Sequence, residues 1–187
     1  SVTPPSRPAW QLAYSARDEL VQVTPPAAPG SGPATFAYNL DRQPAALVRG
    51  DGRGASLAYD SGGRRASRSL TTGGAPTSTD TYAYDAAGRL SGIVAASGVS
   101  LDYQWDGSLP TRITWSGVVS GNVAFTYDDG LRLASEAANG GNAVAFAYDA
   151  DDLPTSAGAA TILRHAASGL PTAISVANAT TVLAYNG

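Results

Sequence analysis

The chain has 187 residues, a formal net charge of −3, 14% charged residues and no cysteine. That length suits one ordinary domain, and so thin a charge argues against nucleic acid as the main partner. Without cysteine, a disulfide framework and thiol chemistry are excluded.

In chain order, the opening SVTPPSRPAW is proline-rich, and residues 1–9 are expected to form an extended linker or arm. RDELVQV at 17–23 resembles a turn of helix, but Val21 and Val23 favour a strand. TPPAAPGSGPAT and, later, TTGGAPTSTD are expected to be loops rich in Pro, Gly, Ser and Thr. SLAYDSGGRRAS, TYAYDAAGRLSGIV, AFTYDDGLRLASE and AFAYDADDLPTSA are blurred copies of one another.

The clearest copy spans 81–94. Thr81, Ala83 and Asp85 fall on one side of an extended strand, and Tyr82 and Tyr84 on the other. Asp85 suits the first position of a type I turn, and Gly88 suits the left-handed residue that closes it. Leu90, Ile93 and Val94 resume an apolar strand, so the stretch predicts one β-hairpin. The same chemistry marks Asp60 with Gly63, and Asp128 and Asp149, as turn residues. Asp106 and Gly107, in the shorter Trp105-Asp106-Gly107-Ser108, are expected to form a two-residue type I′ turn.

Aligned on the second aromatic, the copies give Tyr14, Tyr38, Tyr59, Tyr84, Trp105, Tyr127, Tyr148, His165 and Tyr185, spaced by 24, 21, 25, 21, 22, 21, 17 and 20 residues. Two residues before each sits a large apolar side chain, from Leu12 and Phe36 to Leu163 and Leu183. Such a period is the mark of a tandem repeat, here about nine copies over 10–187 with the last incomplete. The insertions fall between hairpins, which predicts one uniform edge and one variable edge.

The form aromatic–x–Tyr–Asp–x–x–Gly–Arg–Leu, clearest at Tyr82 to Leu90 and Tyr127 to Leu133, resembles the YD repeats of RHS proteins, Tc toxin shell components, wall-associated bacterial proteins and teneurins. The resemblance implies an all-β fold in which tandem hairpins form a continuous antiparallel sheet that spirals into a shell or barrel. It implies a secreted or cell-surface bacterial protein. Flanking repeats of a longer parent chain or further copies of itself are the expected partners, and an enclosed polypeptide such as a toxin another. The absent initial methionine and the ending LAYNG read as a piece of something longer.

No residue pattern carries chemistry. His165, the sole histidine, is expected to be a packing substitution at an aromatic slot. Asp149, Asp151 and Asp152, with Asp128 and Asp129, lack the regular spacing of a calcium loop, and read as turn aspartates. Arg64, Arg65 and Arg68 read as a solvated hairpin before a phosphate site. No cofactor, metal or catalytic residue is expected, nor a membrane span, since no run approaches about 18 apolar residues. Tyr82, Tyr84, Tyr103, Trp105, Phe125, Tyr127, Phe146 and Tyr148 are expected to form a structural aromatic ladder on one sheet face. A sugar-stacking surface, and with it a carbohydrate or cell-surface binding module, is the alternative reading of those rings. A self-assembling fibre or ring joined through open sheet edges is another.

Overall fold

The computed structural model describes residues 1, 9–26 and 32–185. The arm expected over 1–9 lies almost wholly outside them, as does the centre of the TPPAAPGSGPAT loop. The chain divides into two compact units, Ser1–Ser100 and Leu101–Gly187. Both are built of antiparallel strands, and no helix occurs among the described residues.

The first unit contains β1 (Gln11–Tyr14), β2 (Leu20–Thr24), β3 (Ala34–Tyr38), β4 (Pro44–Val48), β5 (Arg53–Tyr59), β6 (Arg65–Thr72), β7 (Ala75–Tyr84) and β8 (Leu90–Val94). Each pairs with the next in sequence. The second contains β9 (Ser100–Asp106), β10 (Leu109–Ser116), β11 (Gly121–Tyr127), β12 (Leu133–Ala138), β13 (Val144–Tyr148), β14 (Pro154–Ala157), β15 (Ala160–Arg164), β16 (Pro171–Val176) and β17 (Ala179–Val182), again paired in order. Residues 17–23 end in β2, so the valines prevail over the weak helix signal.

The alternation read from the sequence is the alternation of burial. In β7, Tyr82 and Tyr84 are half-buried while Thr81 and Ala83 are exposed. The same holds for Phe36 and Tyr38, Tyr103 and Trp105, and Phe146 and Tyr148. No large side chain among the described residues is fully buried, and the buried apolar set is Ala173 alone, at 9% exposure. Stability therefore rests on strand pairing and on side chains lying over their neighbours, as in other repeat architectures.

A bulge recurs at one place in the hairpins. Ala83 pairs with Gly92 but Tyr84 with Leu90, which leaves Ser91 as an extra residue on the second strand. The same shift precedes Tyr14, Tyr38, Tyr59, Tyr127, Tyr148 and Arg164. Each bulge adjoins a tight turn, and all but the one at Arg164 follow the three-residue hairpin with a left-handed closing residue.

Three expectations need correction. TTGGAPTSTD is not a loop: β6 and β7 run through it, joined by Gly73 and Gly74 at φ 59° and 83°. Two successive positive φ angles make the primed turn that matches strand twist, and Ser69 and Thr79 share a cross-strand hydrogen bond of 2.8 Å. At Trp105-Asp106-Gly107-Ser108 the loop residues are Gly107 and Ser108, with Asp106 still in β9. Gly107 alone has positive φ, at 53°, which is the type II′ pattern and not type I′. His165 does not occupy an aromatic slot. Arg164 does, as the last residue of β15, and His165 stands where other hairpins place Asp, Asn or Ser. The turn from His165 to Leu170 is one residue longer than that from Asp149 to Leu153, which displaces an alignment anchored on the recurring Leu-Pro-Thr.

Candidate functional site

The polar chemistry gathers at the turns inside the hairpins. Asp85 accepts the Arg89 backbone N–H on Oδ1 at 2.9 Å and the Arg89 Nε–H on Oδ2 at 2.7 Å. Asp60 with Arg64, and Asp128 with Arg132, repeat this geometry at 2.9 and 2.8 Å. In these three turns Oδ1 closes the backbone, and Oδ2 alone meets both Nε and Nη2 of the guanidinium, a charge-assisted contact. The carboxyls of Asp60, Asp85 and Asp128 are held below their ordinary range, first by the backbone N–H of the arginine four residues on, and then by its side chain against a desolvation cost.

The arginines then reach the next hairpin. Arg64 lies 4.6 Å from the centroid of the Tyr84 ring, and Arg132 lies 4.8 Å from that of Tyr148. Arg132 also pairs with Asp152 at 2.5 Å, and both aspartates push its guanidinium further toward the charged form. Arg65 lies 6.0 Å from the Tyr82 ring, and Arg68 pairs with Asp80 at 2.6 Å. Asp80 accepts the Ala96 N–H as well, and that bond leads in lowering its pKa. The arginines at 64, 65 and 68 thus all have partners within the chain.

The tyrosines complete the link. Tyr38, Tyr59, Tyr84, Tyr127 and Tyr148 donate their hydroxyls to the backbone carbonyls of Leu20, Pro44, Arg65, Pro110 and Leu133, at 3.1, 2.7, 3.0, 2.8 and 2.9 Å. Each acceptor lies at the start of the second strand of the preceding hairpin. Where Arg164 replaces tyrosine, its Nε–H donates to the carbonyl of Pro154 at 3.1 Å, so a different donor fills the same place. His165 Nδ1 lies 3.2 Å from the Ser168 hydroxyl within its own turn.

The predicted residues therefore separate into groups. Asp60, Gly63, Asp85, Gly88 and Asp128 lie in turns whose left-handed residue is Gly63 (φ 74°), Gly88 (φ 82°) or, after Asp128, Leu131 (φ 62°). Asp149 accepts the N–H groups of Asp151 and Leu153, both at 2.9 Å, with Asp152 left-handed at φ 62°. Among the described residues no cluster of three or more acids or histidines is placed to hold a metal. Of the eight aromatics, Tyr103 and Trp105 stack on each other at 6.3 Å, while Tyr82, Tyr84 and Tyr148 face arginine. Sequence reasoning missed the roles of Arg64, Arg89 and Arg132; the signal was Asp followed four residues later by Arg, three times over.

No protein-family model and no curated protein sequence matches the chain. Solved structures do. The chain superposes on the crystal structures of TcdB2-TccC3-Cdc42 and TcdB2-TccC3 with a TM-score of 0.63 in each, at 14% and 13% identity, over 80% of its length. It superposes on the Photorhabdus luminescens Tc holotoxin pore with a TM-score of 0.61, at 11% identity over 89% of its length. The fold is that of the matched stretches of these Tc toxin structures. The chain spans only 9% of the first two toxin chains and 11% of the third. At such identity the likeness is one of fold, the hairpin-repeat fold that the YD motif implied.

Proposed function

We propose that this chain is a non-catalytic wall segment of a secreted or cell-surface bacterial protein, part of a β-shell that encloses or presents another polypeptide. The recurring tyrosine-to-carbonyl bond carries this reading. It joins each hairpin concerned to the one before it, and its donors and the Asp–Arg pairs around it are engaged within the chain. A catalytic site needs groups held free for substrate; here the regular polar groups serve the sheet. The fold shared with Tc toxin proteins supports the same reading.

Two other roles stand behind it. β17 carries Ala179, Thr180, Thr181 and Val182 without charge or proline, a composition that does not protect a strand edge from self-association. A sugar-stacking surface is less favoured, because guanidinium groups already lie against Tyr82, Tyr84 and Tyr148.

Purified chain screened on a glycan array and against hydrolase substrates is expected to give no saturable response. In light scattering and electron microscopy it is expected to associate through its edges without forming long filaments. A specific glycan signal would replace the wall reading with the binding module, and ordered filaments would replace it with the fibre.

A further inference from the structure

The turn between β4 and β5 repeats the backbone of the Asp–Arg turns with a different order of charge. The Arg49 N–H donates to the Arg53 carbonyl at 2.7 Å, and the Gly52 N–H to that of Arg49 at 2.9 Å. Asp60 with Arg64, and Asp85 with Arg89, bracket the same pair of bonds, and Gly52 is left-handed at φ 80° like Gly63 and Gly88. The fifth position keeps its arginine, Arg53. The first, where those turns place the carboxylate, is Arg49. Asp51 takes over the backbone duty, its Oδ1 accepting the Arg53 N–H at 3.1 Å. Its Oδ2 comes no nearer to Arg49 than 3.7 Å, in an exposed pair of the kind that contributes little. The Arg53 guanidinium has no ion pair or hydrogen bond among the described residues.

Both arginines line one open cleft of about 400 Å³. Leu47 pairs with Ala55, and Ala55 with Leu70, so the three form a cross-strand row on one face of β4, β5 and β6. Arg53 stands two residues before Ala55, hence on that face, and opposite Thr72. Leu47, Ala55, Leu70 and Thr72 all line the cleft with the arginines. The cleft thus joins an apolar floor to two cations. Like charges that face each other across paired strands repel, and an anion bound to both removes that cost. Arg64 and Arg89 have such an anion, at 2.8 and 2.7 Å, in the aspartates of their own turns.

We propose that Arg49 and Arg53 form a binding site for an organic carboxylate with an apolar body, supplied from outside the chain. The guanidinium groups take the carboxylate in charge-assisted hydrogen bonds, and the row of Leu47, Ala55 and Leu70 takes the apolar part. The bound carboxylate then does for Arg53 what Asp60 and Asp85 do for Arg64 and Arg89. An acidic side chain of another polypeptide and a free small acid offer the same chemistry.

The methyl resonances of Leu47 and Leu70 report occupancy in NMR titrations of the whole chain at constant ionic strength. Sodium hexanoate, sodium acetate and an acetylated Leu-Asp-Leu peptide amide are the probes, and neutral hexanamide is the control. Saturable shifts are expected with hexanoate, weaker binding with acetate, and none with hexanamide. Arg53→Gln is expected to weaken hexanoate binding by about tenfold, the low end for a lost hydrogen bond to a charged group; Arg53 is exposed, so the fold tolerates the change. Arg49→Asp puts a carboxylate where Asp60 and Asp85 stand in their turns, and is expected to abolish binding and raise the melting temperature. Arg17→Gln removes an exposed arginine of another turn and is expected to leave the affinity unchanged. Binding of the peptide as well as hexanoate points to a polypeptide side chain as the natural source, and binding of hexanoate without the peptide to a small acid. The proposal is overturned if hexanoate gives no saturable shift, if acetate or hexanamide binds as tightly, if Arg53→Gln leaves the affinity unchanged, or if Arg17→Gln weakens it as much.

Discussion

Arg64 and Tyr84 belong to successive hairpins, yet the guanidinium lies 4.6 Å from the ring centroid and the ring's hydroxyl reaches back to the Arg65 carbonyl at 3.0 Å. One residue pair thus ties a turn to the strand that follows it, through the ring face and the ring edge at once. A double-mutant cycle of Arg64→Ala and Tyr84→Phe, read by urea unfolding, separates the two contacts. The hydroxyl's loss should be additive with that of Arg64, whereas Tyr84→Leu with Arg64→Ala should show coupling of roughly 0.5–1 kcal/mol, the range for an exposed cation–π contact.

The hydroxyl-to-carbonyl bond can be tested where it is better shielded. Tyr127→Phe deletes the bond to Pro110 at 2.8 Å and leaves the ring. A loss of about 1 kcal/mol is expected, the usual net contribution of such a bond. Unchanged urea midpoints for this variant would remove the bond from the account of how hairpins are joined.

Leu131 offers a gain in stability. It is left-handed at φ 62° and 67% exposed, so it bears backbone strain and packs little. Leu131→Gly should stabilise by about 1 kcal/mol, since the left-handed penalty for an L-residue is relieved. Gly88→Val is the reverse experiment at φ 82°, and should lose roughly 1–2 kcal/mol. Thermal melts of both variants give the signs directly.

Acid should loosen the turn edge. The carboxyls of Asp60, Asp85 and Asp128 are held below the ordinary aspartate range, first by the backbone N–H of the arginine four residues on. A depressed carboxyl pKa stabilises the fold at pH above the unfolded value, and that contribution is lost as pH falls through the folded value. The melting temperature should be flat with respect to these groups near neutrality and fall below about pH 4. Asp85→Asn should lower the plateau and make the acid limb shallower; an acid limb unchanged by this substitution would count against the turn pairs as its origin.

The hairpin repeat was legible because its signals are local: alternating aromatics, an aspartate where the strand stops, and a glycine where the chain turns left-handed. Arg89 and its relatives were visible as spacing, but their role was not, because the ring they approach belongs to the next hairpin. The acceptors of the tyrosine hydroxyls leave no trace, since backbone carbonyls look alike in every sequence. Gly73 and Gly74 were misread because a glycine pair flanked by Thr and Pro has the composition of a loop, while its two positive φ angles make a tight turn. At His165 a single extra turn residue was enough to move the alignment by one, and one residue exchanges the two faces of a strand.

The bond from each tyrosine ends on main chain, and that has a consequence for descent. Leu20, Pro44, Arg65, Pro110 and Leu133 serve equally as acceptors, so the receiving hairpin need not change its side chains when the donor changes. Through this bond alone, neighbours make no demand on each other's side chains at the joint. Copies can be duplicated, lost or transposed along a gene and still find their place, and sequence can drift far while the joint persists.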